Sequence, residues 1–206
     1  MKSKKNLLEQ LDTLPHFTKS TVYQFGSQLG LANSTVNTYI SRFLERKDIL
    51  PLKNGLYISA KFFANNKSDI SYSFYLANII RTPSYVSSWT ALQHYNLTTE
   101  AIHSITSVTP KVTRKYEVRS VGSFSYQSIN KNLFSDYVLV KGKFDFFIAS
   151  PSKALFDLLY FRTHQFRGVR FGDVTKIVKE LRIDIDEMNE AERNKFYKRI
   201  KAYLHE

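Results

Sequence analysis

Apolar positions recur with a helical period three times in the first third of the chain. Leu7, Leu8, Leu11 and Leu14 stand at i, i+1, i+4 and i+7, one stripe of a helix over residues 4–14. Val22, Phe25 and Leu29 form a second stripe over Thr18 to Leu29, and Gly30 follows where a left-handed residue ends a helix. Val36, Ile40, Phe43 and Leu44, at i, i+4, i+7 and i+8, form the third. Asn33 or Ser34 is expected to cap that helix, because a short polar side chain can accept from first-turn amides. Leu52 and Leu56-Tyr57-Ile58 then flank Asn54-Gly55, a pair whose tolerance of positive φ marks a two-residue hairpin. Pro51 cannot donate to a ladder, so the first of these strands is a short edge strand. Three helices and a hairpin in this order are the plan of a winged helix-turn-helix, expected over residues 1–64.

The pattern changes after a polar break at Asn65-Asn66-Lys67-Ser68-Asp69, the expected linker. ISYSFYLANII is a helix dense in aromatics that ends at Thr82-Pro83. Ser84 to Ser88 leads into a short helix over Trp89–Tyr95. Five alternating or apolar runs read as strands: 104–109, 116–121, 123–128, 137–141 and 144–149. Pro151 opens a helix over 151–161, since its missing N–H is an orphan at that position anyway. Helices over about 173–181 and 186–204 complete the chain. The expected fold class is α+β: an N-terminal winged helix-turn-helix over 1–64, then a larger mixed α/β domain over 68–206.

Composition narrows the partners. The 206 residues are 43% hydrophobic, enough for a packed core, and the formal charge is +12 with pI near 9.7. Lys and Arg outnumber Asp and Glu by 8 to 4 over residues 1–60, 10 to 5 over 61–150 and 12 to 9 over 151–206. The excess is spread along the chain, so it favours a nucleic acid or an acidic partner over a basic tail. There is no cysteine, which excludes disulfides, thiol nucleophiles and cysteine-held metals. The N-terminal stretch carries Glu9 and Asp12 where a signal peptide is apolar, and no run approaches the roughly 18 apolar residues of a membrane span. A cytoplasmic protein with no membrane association is expected.

Candidate chemistry centres on the third helix. Its outward face carries Thr35, Asn37, Thr38, Ser41, Arg42 and Glu45. Short hydroxyl and amide side chains near a helix N-terminus suit close approach to phosphates and base edges. Ser34, Thr35, Asn37, Thr38, Ser41 and Arg42 are the expected groove contacts. Thr18, Lys19, Ser20, Thr21, Lys53 and Asn54 are the expected backbone contacts. Further along, Lys111, Arg114, Lys115 and Arg119 lie around one expected strand and turn, either as additional phosphate contacts or as charges guarding a strand edge. An enzyme is not expected. His16, His94, His103, His164 and His205 show no ligand spacing, and Asp136, Asp145 and Asp157 are not spaced as a metal site. Ser150-Pro151-Ser152-Lys153 matches S-x-x-K, but without its K-T-G or S-D-N partners. A helix-capping role for Ser150 accounts for it better. Lys153 remains unusual, because a cation in a first helical turn opposes the helix dipole. It is expected to hold an acidic group or a phosphate. No metal or cofactor is expected.

Three stretches in order resemble the AbiEi family of antitoxins from type IV toxin–antitoxin (abortive infection) operons. They are Tyr85-Val86-Ser87-Ser88-Trp89-Thr90-Ala91-Leu92, then Ile105-Thr106-Ser107-Val108-Thr109, then Phe147-Ile148-Ala149-Ser150-Pro151-Ser152-Lys153-Ala154-Leu155-Phe156-Asp157-Leu158-Leu159. The similarity covers about residues 5–165; at Ser152 many family members carry Glu. The resemblance implies a two-part protein. The winged helix would repress its own operon by binding inverted repeats of double-stranded DNA, as a monomer or weak dimer that is cooperative on DNA. The domain over 68–206 would oppose a nucleotidyltransferase-like toxin without a stable complex, with Lys153 and the Arg114-Lys115 pair as candidate contacts. A stand-alone winged-helix regulator and a basic protein-interaction module remain as alternatives.

Overall fold

The computed structural model describes residues 2–101 and 103–204. Among them the chain is mixed α+β, with nine α-helices, a short 3₁₀ turn and two sheets. It divides into two compact units, 2–72 with 118–121 and 73–117 with 122–204, of which residue 102 is not described.

In the first unit, α1 (Lys2–Leu11), α2 (Lys19–Gln28) and α3 (Asn33–Glu45) surround one core. Each turns its periodic apolar residues inward: Leu7 and Leu11, then Val22, then Val36, Ile40 and Phe43 are buried together with Phe17, Ile49 and Tyr57. Leu8, Leu14, Phe25, Leu29 and Leu44 close the rim of that core half-buried. Gly26 lets α2 approach α3 closely. A Cβ built there would stand 2.4 Å from the Val36 Cγ2, so α2 and α3 meet at a distance that only glycine permits. Gly30, at φ +69°, ends α2.

The small sheet has the order β1-β3-β2, all antiparallel, with β1 at Phe17–Thr18, β2 at Ile49–Lys53 and β3 at Leu56–Ser59. β2 lies at the edge, and its register slips between Pro51 and Lys53, where proline offers no ladder donor. Lys53 pairs with Leu56 across Asn54-Gly55, but only Gly55 has positive φ. The turn therefore needs one left-handed residue, not the two expected from Asn-Gly. β1 is too short to leave a period in the sequence. The expected linker is shorter than its polar run: α4 (Ala60–Asn66) takes in Asn65 and Asn66, Ser59 caps it, and Asn66 is buried with its side-chain amide donating to the Phe62 carbonyl at 2.8 Å.

The division between units falls inside α5 (Ile70–Ile80). The second unit holds a six-stranded sheet of order β6-β7-β5-β4-β9-β8. Its strands are β4 (Tyr85–Val86), β5 (Ile105–Thr109), β6 (Arg114–Val118), β7 (Gly122–Ser128), β8 (Tyr137–Val140) and β9 (Phe146–Ala149). β4 pairs parallel with β9 and β5 parallel with β7, while β4–β5 and β8–β9 are antiparallel. β6 starts two residues before the expected strand, and 119–121 form its turn, with Ser120 at φ +69°. α6 (Ser88–His94), α7 (Pro151–Arg162), α8 (Phe171–Glu180) and α9 (Glu190–Leu204) complete this unit. Among the described residues no helix is long and apolar enough to cross a membrane.

Candidate functional site

The outward face of α3 is polar and carries no acid before its last residue. No Asp or Glu occurs between Asp12 and Glu45, so α2 and nearly all of α3 are free of negative side chains. Ser34, Asn37, Thr38, Ser41 and Arg42 are exposed and Thr35 is half-buried, which places the six expected groove residues on one face. Asn33 and Ser34 do not cap α3. The residue before the helix is Ala32, extended at φ −68° and ψ 149°, and no side chain accepts from the first turn. The helix starts at least one residue earlier than a cap at Asn33 or Ser34 would give, so these side chains fall inside the first turn.

The neighbouring side chains are ordered by local bonds. Thr18 and Thr21 form a reciprocal cap of α2: the Thr21 N–H donates to Thr18 Oγ1 at 3.3 Å, and the Thr18 N–H donates to Thr21 Oγ1 at 3.3 Å. Their hydroxyls are thus first committed to the helix, leaving Lys19 and Ser20 as the exposed members of the expected backbone-contact set at this end of α2. The Lys19 ammonium lies 5.4 Å from the Tyr23 ring centroid, and its pKa is raised chiefly by its bond to Tyr23. The Tyr23 hydroxyl in turn donates to Asn37 Oδ1 at 2.7 Å. Asn37 is therefore held with its amide nitrogen outward, a restraint with no sequence signature because Tyr23 and Asn37 lie on different helices. The Lys19 N–H also donates to the Gly55 carbonyl at 3.1 Å, tying the start of α2 to the hairpin tip, where Lys53 and Asn54 are exposed.

In the second unit the basic residues divide. Lys111, Arg114, Lys115 and Arg119 are all exposed, along or beside the edge strand β6; Arg119 belongs to the segment grouped with the first unit. Lys115 pairs with Glu117 at 2.6 Å, Arg114 lies over Tyr116, and Lys111 donates to the Thr82 carbonyl at 2.5 Å. Lys153 is not a surface cation. It is 0% exposed, its ammonium donates to the carboxylate of Asp157 one turn on, and it lies over the rings of Tyr85 and Phe156. A buried ammonium needs an internal anion, so the acidic group it holds is Asp157, and it presents nothing to a phosphate in solvent.

Asp157 is the centre of this buried cluster. Its Oδ2 accepts from the Ser87 hydroxyl at 2.7 Å and from the Tyr85 hydroxyl at 3.1 Å. Burial pushes the Asp157 carboxyl up and the Lys153 ammonium down, and their mutual attraction opposes both shifts. Burial also raises the Tyr85 hydroxyl, helped by the neighbouring carboxylate, so Tyr85 stays a neutral donor. Ser150 caps α7 by accepting from the Lys153 N–H at 3.4 Å, and the Ser152 N–H donates to Glu192 Oε2 at 3.1 Å. The S-x-x-K residues accordingly have separate roles: the Ser150 hydroxyl serves the helix end and the Lys153 ammonium serves Asp157. The Lys153–Asp157 spacing of four is the one sequence signal for this pair.

Among the described residues no three histidine or carboxylate side chains gather as metal ligands. His205 lies outside the described residues. No family model matches this chain, and no match was found among the curated proteins.

Proposed function

We propose that residues 1–64 form a winged helix-turn-helix that binds operator DNA, and that the protein is an antitoxin of a type IV toxin–antitoxin system which represses its own operon. The observation that carries the DNA-binding reading is the exposed polar face of α3, free of acid up to Glu45, together with an exposed hairpin tip tied to the start of α2. In this arrangement α3 enters the major groove, Arg42 and Asn37 reach base edges, and Lys19, Ser20, Lys53 and Asn54 meet the phosphates on either side. The first-turn amides of α3, left without a side-chain cap, supply further donors to a phosphate. Neutralisation of a nucleotidyltransferase-like toxin by the second half rests on the resemblance of the three stretches over 85–92, 105–109 and 147–159.

The test is binding to the DNA immediately upstream of the gene, against a scrambled duplex, across a salt series. Specific repression requires a preference of about 10³ or more at physiological salt. Equal and steeply salt-dependent binding to both duplexes would sink this reading, since charge alone would then account for the binding. Co-expression with a toxin of the proposed class tests the second role. The full-length protein should restore growth, and Arg42→Ala should retain the rescue while losing repression.

A further inference from the structure

The second unit contains a two-chambered cleft that neither the DNA-binding face nor the Lys153–Asp157 cluster uses. The inner chamber, about 430 Å³, is walled on its apolar side by Trp89, Leu158 and Phe161. Ser88, Gln127 and Thr106 supply its polar side. An outer chamber of about 670 Å³ adds Arg182, Ser104 and the carboxylates Glu100 and Glu180. Trp89, Thr106 and Arg162 line both, so the chambers meet at these three residues. Each volume lies in the range of small-molecule sites, and polar surface slightly exceeds apolar surface in each lining, which suits a polar ligand.

Three features of this cleft go unexplained by the fold. Ser88 is only 3% exposed, yet its hydroxyl has no hydrogen-bond partner among the described residues. Its φ is +52°, a left-handed conformation that serine rarely adopts. The neighbouring Ser87 is held by Asp157, so the buried ion pair fixes one side of this strand-to-helix turn while Ser88 takes the strain on the other. Finally, neither Arg162 nor Arg182 pairs with a carboxylate among the described residues, although Glu180 lines the same chamber and lies near Lys176 instead.

We infer that this cleft binds a nucleoside monophosphate. A planar base fits the inner chamber against Trp89 and Phe161, where stacking on an aromatic face is sequence-tolerant, and the Gln127 amide and Ser88 hydroxyl meet its polar edge. The phosphate lies at Arg162 and Arg182, which offer forked donors matched to phosphate oxygens. Glu100 or Glu180 accepts from the ribose hydroxyls, the same pairing that acidic residues make in other nucleotide sites. A carboxylate lining the chamber thus has a role beside the arginines.

Trp89 is the chain's single tryptophan, so its fluorescence reports on this cleft alone. The full-length protein is titrated with AMP, with adenosine and with inorganic phosphate, exciting at the red edge of the indole band. AMP should quench Trp89 saturably, adenosine should bind about tenfold or more weakly, and inorganic phosphate should compete with AMP without quenching. Arg162→Ala, an exposed change at a helix end, should lower AMP affinity about tenfold and bring it to the adenosine value. Ser88→Gly suits the positive φ and removes only the hydroxyl, so it should weaken AMP binding while leaving the unfolding midpoint unchanged or higher. No saturable response to AMP, or equal affinity for AMP and adenosine in the original chain, overturns the inference. So does AMP affinity unchanged in both variants.

Discussion

Helices α3 and α7 are of similar length, and each carries a basic residue that the sequence singles out, but they spend their polar side chains in opposite ways. α3 buries Val36, Ile40 and Phe43 and turns Ser34, Asn37, Thr38, Ser41 and Arg42 to solvent, where the bond from Tyr23 to Asn37 ties this face to α2. α7 is buried continuously from Ser152 to Tyr160, and its Lys153 and Asp157 are answered inside the protein by each other, by Ser87 and by Tyr85. The same chemical groups are therefore available to a partner in one helix and committed to architecture in the other. A polar residue's role follows from which face of its helix is covered, more than from its type.

Four tests sharpen this contrast, from the largest expected loss of stability to the smallest. Asp157→Ala should cost about 3–5 kcal/mol in urea unfolding, because it leaves the Lys153 ammonium buried without an anion. The double variant Lys153→Met with Asp157→Leu should recover much of that loss. Burial already works against both charges, in the direction of a raised Asp157 and a lowered Lys153, so removing the pair together also removes its desolvation cost. A double variant no more stable than Asp157→Ala alone would show that Tyr85 and Ser87, not Lys153, are the partners that matter.

Gly26→Ala tests the α2–α3 approach. The added methyl meets the stiff, branched Val36 side chain, so a net loss of about 1–2 kcal/mol is expected despite the better helix propensity of alanine. Combining it with Val36→Ala should give much less than the sum of the two single losses. An unchanged melting temperature for Gly26→Ala would mean that the helices can separate at no cost.

Arg42→Ala inverts the α7 result. Thermal stability should stay within about 0.5 kcal/mol of the original, as for other surface changes, while operator affinity falls by about 1–3 kcal/mol if Arg42 reads a base. A loss of stability without a loss of binding would reverse the roles assigned to the two helices.

The smallest effect is a pH dependence at the start of α7. Burial alone would raise Glu192, but its bonds from Lys195 and from the Ser152 backbone outweigh burial and hold it below its ordinary value of 4.5. A carboxyl lowered on folding stabilises above its ordinary value, and that contribution disappears as pH falls through the lowered one. Unfolding midpoints at pH 7 and about pH 3 should therefore differ less in Glu192→Gln than in the original chain. An identical pH response in both would remove Glu192 from the set of contributing groups.

How much of this was readable beforehand depended on the range of the interaction. The helices of the first unit were legible because burying one stripe imposes a 3.6-residue period, and Leu7, Leu11, Val22, Val36, Ile40 and Phe43 all fall on it. Ser150 and Pro151 marked the start of α7 because cap chemistry is local. The candidate DNA face was legible as the complement of the α3 stripe. The two-residue strands β1 and β4 were not, since two residues carry no period and exist only because β3, β5 and β9 offer them partners. The α3 cap was misassigned because Asn33 and Ser34 suit a cap by residue type, whereas the helix starts one residue before either could cap it, and only the path of Leu31-Ala32 decides that.

The sequence by itself determined where most of the helices lie, which faces they bury, the turn at Gly55 and the absence of acid along α3 before Glu45, because each depends on residues within a few positions. Only the tertiary structure decided that Lys153 is buried, that Tyr85 and Ser87 answer Asp157 some 70 positions away, and that Tyr23 orients Asn37. It also decided that Ser88, Gln127 and Arg162 share one cleft. Those pairings depend on strand order and helix packing, and side chains far apart in the chain become neighbours only when a sheet with crossovers has assembled around them.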